Sequence, residues 1–167
     1  MLFRSITYLV TPFVNGCPGD AQNVSVTVNP YPVINPLSPV TICSGLPLQI
    51  SLTANIQSQF NWQADSNPNI TGESVTANNT AVISDTLINN TGILQVINYH
   101  ITPVSVSGAC PGNEVQLAVS VEPAPSLNIP APTVICGGDT LGIPLTSNIP
   151  ATFSWNAIDN QIGRAHV

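Results

Sequence analysis

The segment "CPGNEVQLAVSVEPAP" (residues 110–125) places a run of alternating apolar and polar residues between a Cys-Pro-Gly turn and a proline-rich end. The apolar positions run from Val115 to Val121 at every second residue. Such an alternation predicts a β-strand with one buried face. The segment has a close copy 93 residues earlier, "CPGDAQNVSVTVNPYP" (residues 17–32). The chain therefore contains an internal repeat, and the repeat sets the domain boundaries.

The repeat extends well beyond this pair of segments. Aligned without gaps, residues 17–64 and 110–157 are identical at 21 of 48 positions. Upstream, "ITYLVTP" (residues 6–12) matches "INYHITP" (residues 97–103) at an offset of 91, so one loop differs by two residues.

Proline-rich segments recur at the edges of the repeat, at residues 29–36 and 122–130. Because proline stiffens the backbone and removes a hydrogen-bond donor, we interpret both segments as linkers. The period then predicts one complete domain at residues 31–123. Residues 6–30 are predicted to be the C-terminal strands of a preceding repeat, and residues 124–161 the N-terminal part of a following one.

The two ends of the chain differ in sequence from the repeat. They carry the only Lys or Arg residues of the chain, Arg4 and Arg164. The sequence "IGRAHV" (residues 162–167) is the translation of a common short-read sequencing adapter. Residues 1–5 correspond to the reverse complement of that adapter with GTG as start codon. We therefore expect residues 1–5 and 162–167 to be non-native and the chain to be a fragment of a longer protein.

The complete repeat is predicted to be all-β, with about seven short strands joined by turns and no helical periodicity. A unit of this size with this number of strands predicts an Ig-like Greek-key β-sandwich. Phe60, Trp62 and Tyr99 are predicted as core residues, because they lie on the apolar faces of strands. The predicted strands are one ending at residue 43 and others at residues 48–52, 60–62, 75, 81–83, 97–101 and 115–121.

The motifs of the repeat resemble those of PKD-like, Ig-like repeats in very large bacterial surface proteins. Those proteins often end in a gliding-motility-associated domain that directs type IX secretion. The resemblance covers residues 6–161 and implies a secreted or cell-surface protein and a non-catalytic spacer or adhesion repeat. Its partners would be neighbouring repeats and possible surface glycans or proteins. The matching residues are Ile42, Cys43, Ser44, Gly45, Phe60, Trp62, Tyr99, Thr102, Pro103, Cys110, Pro111 and Gly112.

An exported chain reaches an oxidising compartment, so the resemblance favours disulfides for the four cysteines. One possible pairing joins Cys43 to Cys110 within the complete domain, which we favour because it closes one self-sufficient unit. The other joins Cys17 to Cys43 and Cys110 to Cys136 across the linkers. Reduced, buried thiols are the remaining alternative.

The sequence gives little support for a catalytic or metal-binding site, and no cofactor is predicted. Asp65, Glu73 and Asp85 lie in separate turns and strands, where a glycosidase would need two facing carboxylates. The loop at residues 64–69 is rich in oxygen ligands but lacks the spacing of a calcium loop, so an Asx-type turn is favoured. His100 is expected to point to solvent from its strand.

Charge and composition narrow the possible partners further. The formal net charge of −6 arises from 8 acidic and 2 basic side chains and disfavours binding to nucleic acid. No apolar run approaches the length of a membrane-spanning helix. The alternative to a structural repeat is a module that binds carbohydrate or protein, which would need exposed aromatic side chains. Tyr31 and Tyr8 are the only spare aromatic residues, so this alternative is weaker.

Overall fold

The computed structural model describes residues 4–131 and 133–156, and all the regular elements in these ranges are β-strands. The chain forms two compact units, one up to Pro123 and one from Ala124. Within the described ranges, no helix has the length and apolar character needed to cross a membrane.

The first unit begins with a β-hairpin, called here the N-terminal hairpin. Its long strands pair antiparallel, with Tyr8 opposite Val24. At its tip, Asn15 and Gly16 have φ angles of 48° and 84°. A two-residue type I′ turn requires positive φ at both positions, and Asn-Gly is the dipeptide that tolerates this best. The strands are β1 (Arg4–Val10), β2 (Phe13–Val14), β3 (Cys17–Pro18) and β4 (Gln22–Val28).

Residues 31–123, called here the central domain, form the all-β, Ig-like β-sandwich that the sequence predicts, and the prediction of this fold class is confirmed. The main sheet has the order β5-β12-β11-β7. β11 pairs antiparallel with β12 and β7, whereas β5 pairs parallel with β12. The strands are β5 (Val40–Cys43), β6 (Ile50–Ser51), β7 (Ser58–Ala64), β8 (Ile70–Thr71), β9 (Val82–Ile83), β10 (Ile88–Asn89), β11 (Gln95–Ser105) and β12 (Val115–Glu122).

The second layer of the sandwich is made of short pairs, β6 with β9 and β8 with β10. Isolated bridges between Ile34 and Ala54 and between Pro47 and Thr86 extend it. The chain leaves the main sheet after β7, crosses this layer, and returns as β11 beside β7. This crossover is what closes the two layers over one core.

The core follows from the period of two along the strands, because alternate side chains point to the same face. On β11 every second residue from Ile97 to Ser105 is buried, and the residues between are partly exposed. The buried apolar residues are Ile34, Leu48, Leu52, Phe60, Trp62, Ala64, Ile70, Ile83, Leu87, Ile97, Tyr99, Ile101, Leu117, Val119 and Val121. Burying one large apolar side chain contributes about 1.5–3 kcal/mol, so this cluster supplies the main stabilisation of the domain.

Two local expectations are wrong. The second half of the segment at residues 29–36 is part of the domain, because Ile34 is buried and Val33 donates its backbone N–H to Asn55 Oδ1. Val75 lies outside any strand, and its side chain is exposed. The strand in this region is β8, whose brief apolar signal at Ile70 is too short to stand out in the sequence.

The second unit, from Ala124 onward, repeats the start of the central domain. Its strands β13 (Leu127–Asn128) and β14 (Thr146–Ser147) pair antiparallel. Of the segments predicted as non-native, residues 1–3 and 162–167 lie outside the described residues, and Arg4 and Ser5 lie in β1. The remainder of the predicted following repeat, residues 157–161, also lies outside them.

We expect Gly72→Ala to destabilise the central domain more than Gly45→Ala. Both glycines have positive φ, 90° and 85°, which costs an alanine roughly 1–2 kcal/mol. Only at Gly72 would the added Cβ collide with a backbone atom, the carbonyl oxygen of Thr86, whereas the space beside Gly45 is open. The collision should add at least about 1 kcal/mol in urea unfolding. Equal losses for the two variants would contradict this packing.

Candidate functional site

The four cysteines do not form the predicted bridges: Cys17, Cys43, Cys110 and Cys136 are all free. The favoured pairing of Cys43 with Cys110 is wrong for this structure, and the reason is the strand register. Cys43 lies opposite Glu122, at the end of the main sheet where the central domain ends. Cys110 lies at the other end of that sheet, where its carbonyl oxygen accepts a hydrogen bond from the Ser105 backbone N–H (2.9 Å).

The distance between these two cysteines follows from β11, which runs from one end of the sheet to the other. The ten residue steps from Gln95, opposite Val121, to Ser105 span roughly 33 Å at about 3.3 Å per residue. A disulfide needs Cα atoms within about 7 Å. Sequence spacing alone could not reveal this, because the parallel pairing of β5 with β12 determines at which end Cys43 lies.

The outer face of the main sheet carries a cluster of charged side chains around His100. Its Nδ1 lies 2.7 Å from Glu114 Oε1, and its Nε2 lies 3.0 Å from Asp65 Oδ1. Asp65 follows the end of β7, His100 lies on β11, and Glu114 precedes β12. The cluster therefore joins the three antiparallel strands of the sheet. From the sequence, His100 is expected to point to solvent. It lies on the outer face, but two carboxylates cover it and leave it only partly exposed, and these partners could not be inferred without the strand register.

Carboxylates at both ring nitrogens favour the imidazolium form of this histidine, because only that form donates from both nitrogens. The hydrogen bond to Glu114 has the largest effect and raises the pKa of His100. Desolvation opposes it, and the hydrogen bond and charge of Asp65 raise the pKa further. The side chain is about one-quarter exposed, so solvent weakens the ion pairs.

The cluster is not arranged as a metal centre. The two carboxylates approach different nitrogens of one ring and do not converge on a common point. Among the described residues, no group of three or more His, Cys, Asp or Glu side chains is placed to hold a metal ion. The adjoining cavity, beside Asn61, Gln63 and Thr102, measures about 150 Å³. Pockets for organic ligands have volumes of about 300–1,000 Å³, so this one is small for such a ligand.

A second polar cluster lies between the layers, around Asp85. The Tyr99 hydroxyl donates to Asp85 Oδ2 at 2.8 Å. The Ser74 backbone N–H donates to the same oxygen, and the Ser74 hydroxyl donates to Asp85 Oδ1, both at 2.8 Å. Burial, followed by the hydrogen bond and negative charge of Asp85, raises the pKa of Tyr99 well above its usual value. Tyr99 is thus a neutral donor that ties the main sheet to the second layer.

The three core aromatic residues lie where the sequence predicts them. Phe60, Trp62 and Tyr99 are all buried, and the ring centroids of Trp62 and Tyr99 are 5.9 Å apart. The indole Nε1–H of Trp62 donates to the carbonyl oxygen of Thr80 (3.1 Å). The tryptophan is therefore packed and hydrogen-bonded within the domain, and it does not form an exposed stacking platform.

The carboxylates considered for glycoside hydrolysis are engaged separately. Asp65 belongs to the outer cluster around His100, and Asp85 is bound between the layers by Ser74 and Tyr99. Asp65 and Asp85 therefore do not face each other across a cleft, as the two carboxylates of a glycosidase must.

In the loop at residues 64–69, Asn67 Oδ1 accepts the backbone N–H of Asn69 (3.0 Å), which is the favoured Asx turn.

One structural residue was missed because its sequence context is typical of a polar turn. Asn89 is buried, and its Nδ2 donates to the carbonyl oxygens of Val121 and Ile93, both at 2.8 Å. Its backbone N–H donates to the Ser44 hydroxyl (2.9 Å). Ser44 is the position occupied by Gly137 in the second copy, so that copy cannot make the same hydroxyl contact.

Tyr99→Phe should destabilise the central domain by about 1.5–3 kcal/mol, the typical value of a hydrogen bond to a charged group. The substitution removes only the hydroxyl that binds Asp85 and leaves the packing against Trp62 unchanged. Tyr31→Phe is the matched control, because Tyr31 is exposed and its loss should have no measurable effect. Urea unfolding measures both variants, and a Tyr99→Phe domain as stable as the control would contradict the role of this bond.

His100→Gln should reduce the pH dependence of stability. Because folding raises the pKa of His100, its stabilisation is present below the unfolded pKa of about 6.5 and is lost as the pH rises through the higher folded pKa. The effect should be under about 1 kcal/mol, as for other partly exposed ion pairs. Urea unfolding between about pH 5.5 and pH 8.5 measures it. Glu122→Gln is the control and should retain the wild-type slope; an unchanged slope in His100→Gln would contradict the cluster.

Comparison with known proteins agrees with this architecture. A search of curated proteins gave no match. The sequence model of the PKD-like domain family matches residues 40–125, which include β5 to β12 and all the residues of both polar clusters. On this match, and with an all-β sandwich to support it, the chain belongs to the PKD-like domain family.

Proposed function

We propose that the central domain is a non-catalytic structural repeat of a secreted or cell-surface protein, which acts as a spacer that carries tension between its neighbours. Membership of the PKD-like family supports an extracellular, non-catalytic module. The resemblance to repeats of bacterial surface proteins exported by type IX secretion supports the same location and a role in adhesion.

The observation that carries this proposal is the position of the two ends of the domain. At one end, Pro32 lies against Gly112, so closely that a Cβ on the glycine would collide with the Pro32 carbonyl oxygen. The chain leaves the domain after Glu122, at the other end of β12. An eight-residue strand spans roughly 26 Å, so entry and exit lie at opposite ends of the domain. Domains with this arrangement can be joined in series without folding back.

The strands nearest the two ends are suited to resist extension. β5, the first strand of the domain, pairs in parallel with β12, the last strand, from Val40 opposite Val119 to Cys43 opposite Glu122. When the ends are pulled apart, these two strands slide in opposite directions. The hydrogen bonds between them then bear the force together, whereas peeling would break them one after another.

The surfaces of the central domain give weaker support to a binding role. The outer face of the main sheet presents mainly small and polar residues, apart from Val96 and Val104, and Trp62 is buried beneath it. Of the aromatic side chains in the described part of this domain, only Tyr31 is exposed. One tyrosine does not form the extended platform that stacking against a glycan requires.

Single-molecule force measurements on the full chain test the spacer function. We expect unfolding at a higher force when tension is applied through residues 31 and 123 than through residues 44 and 123. The first geometry shears the β5–β12 pair, and the second peels it apart from the end where Cys43 faces Glu122. Equal forces in the two geometries would contradict a tension-bearing role.

A glycan array with the full chain tests the binding alternative. The spacer proposal expects no specific, saturable binding. If a glycan does bind, Tyr31→Ala should abolish the signal, with Tyr8→Ala as the control on the N-terminal hairpin. Saturable binding that depends on Tyr31 would replace the spacer with a carbohydrate-binding module.

A further inference from the structure

The loop between β11 and β12 is two residues longer than its copy in the N-terminal hairpin. In the hairpin, Val14 pairs with Cys17 across a two-residue turn. The equivalent partners in the central domain are Ser105 and Cys110, where the Ser105 N–H donates to the Cys110 carbonyl oxygen (2.9 Å). Residues 106–109 lie between them and are called here the joint loop. The change of offset from 91 to 93 in the internal repeat is therefore located in this loop.

The joint loop is held in place by hydrogen bonds to its own domain. Ser105 is buried, and its hydroxyl accepts the Cys110 N–H (3.0 Å) and donates to the Ser107 carbonyl oxygen (2.9 Å). The Val106 N–H donates to the carbonyl oxygen of Gln57 (3.1 Å), which immediately precedes β7. The loop is therefore a fixed part of the central domain and can hold another segment against it.

The backbone of the joint loop is strained. Two consecutive residues have positive φ, Gly108 at 82° and Ala109 at 50°. Asn15 and Gly16 occupy these positions in the hairpin copy, and Asn-Gly is the dipeptide that suits two positive φ angles best. Alanine rarely adopts this conformation, and such strain persists only where the surrounding structure imposes it. The replacement of Asn-Gly by Gly-Ala therefore needs a structural reason.

The reason is a contact with Asn29, the residue that follows β4 in the linker between the hairpin and the central domain. Its side chain lies so close to Gly108 that a Cβ on the glycine would collide with Asn29 Nδ2. An asparagine at position 108, as in the hairpin copy, would not fit beside it. Pro30 and Val106 line a cavity of about 400 Å³ next to this contact. Asn29 is thus the linker residue that the joint loop touches most closely.

The other end of the linker is anchored as well. Pro32 is fully buried, and its carbonyl oxygen lies against Gly112. Only residues 29–31 remain between β4 and this anchor. Pro30 fixes its own φ angle, and each proline restricts the backbone of the residue before it. Such a linker has few free torsion angles, so one further contact at Asn29 is enough to fix the direction in which the chain enters the domain.

We propose that the joint loop clamps the linker at Asn29 and thereby makes the junction between these two consecutive repeats rigid. The hairpin and the central domain belong to one compact unit, as a rigid junction requires. A two-residue turn lacks the residues that contact the linker, so the length of this loop determines whether a junction is stiff or free to bend. The stiffness of the junction is a separate property from the resistance of the central domain to tension.

Nuclear magnetic resonance relaxation of the full chain tests the proposal. We expect a backbone order parameter of about 0.85 for Asn29, as in rigid strands, where a flexible linker would give a value below about 0.6. A nuclear Overhauser effect between the Asn29 side-chain amide and the Gly108 α protons should report the contact itself. Replacing residues 106–109 with Asn-Gly, the turn of the hairpin copy, should lower the order parameter of Asn29 toward about 0.6.

Two point variants complete the test without changing the loop. Asn29→Ala should lower the order parameter at position 29 in the same way, and it lies outside the central domain. Tyr31→Ala, in the same linker but exposed, is the matched control and should retain the wild-type value. The indole N–H resonance of Trp62, which donates to Thr80, reports that the domain remains folded in every variant.

Two results would overturn the proposal. One is a wild-type Asn29 that is as mobile as a flexible linker, and the other is an order parameter that neither the loop replacement nor Asn29→Ala lowers. Neither result bears on the spacer function, because tension applied through residues 31 and 123 does not cross this junction.

Discussion

The hydrogen bond from the Tyr99 hydroxyl to Asp85 joins the two layers of the central domain. Tyr99 lies on β11, where it pairs with Ala64 on one side and Leu117 on the other, and its ring contacts Trp62. The aspartate is itself fixed by Ser74. A buried hydroxyl without this partner would carry a large desolvation cost, so the second layer has to bring an acceptor to this point.

The need to satisfy the Tyr99 hydroxyl within the domain limits the roles that its other polar groups can take. The two layers close over a core that is apolar apart from the buried Asn89 and Ser105. His100 and its two carboxylates form a cross-strand cluster on the outer face. Among the described residues, carboxylates are used to hold strands or layers together: Asp65 and Glu114 on His100, and Asp85 on Tyr99. A domain whose polar groups are used in this way is suited to transmit force and to stack in series, which is the function we propose for it.

The N-terminal hairpin shows how much burial depends on context. Val26 and Val119 occupy equivalent positions of the repeat, yet the first is about half exposed and the second is fully buried. Each strand pairs antiparallel within its hairpin, but β12 also pairs in parallel with β5 on its other side. Val119 is also covered by a second layer from its own repeat, whereas the face that carries Val26 is about half exposed.

The sequence by itself determined the all-β fold, because alternation with a period of two specifies which face of each strand is apolar and the repeat specifies how many strands belong together. For the same reason, the burial of Phe60, Trp62 and Tyr99 could be predicted. Only the tertiary structure decided the partners of His100, the acceptor of Tyr99 and the separation of Cys43 from Cys110. These depend on strand register and on the crossover between layers, which bring together residues far apart in the chain and leave no periodic signal in the sequence.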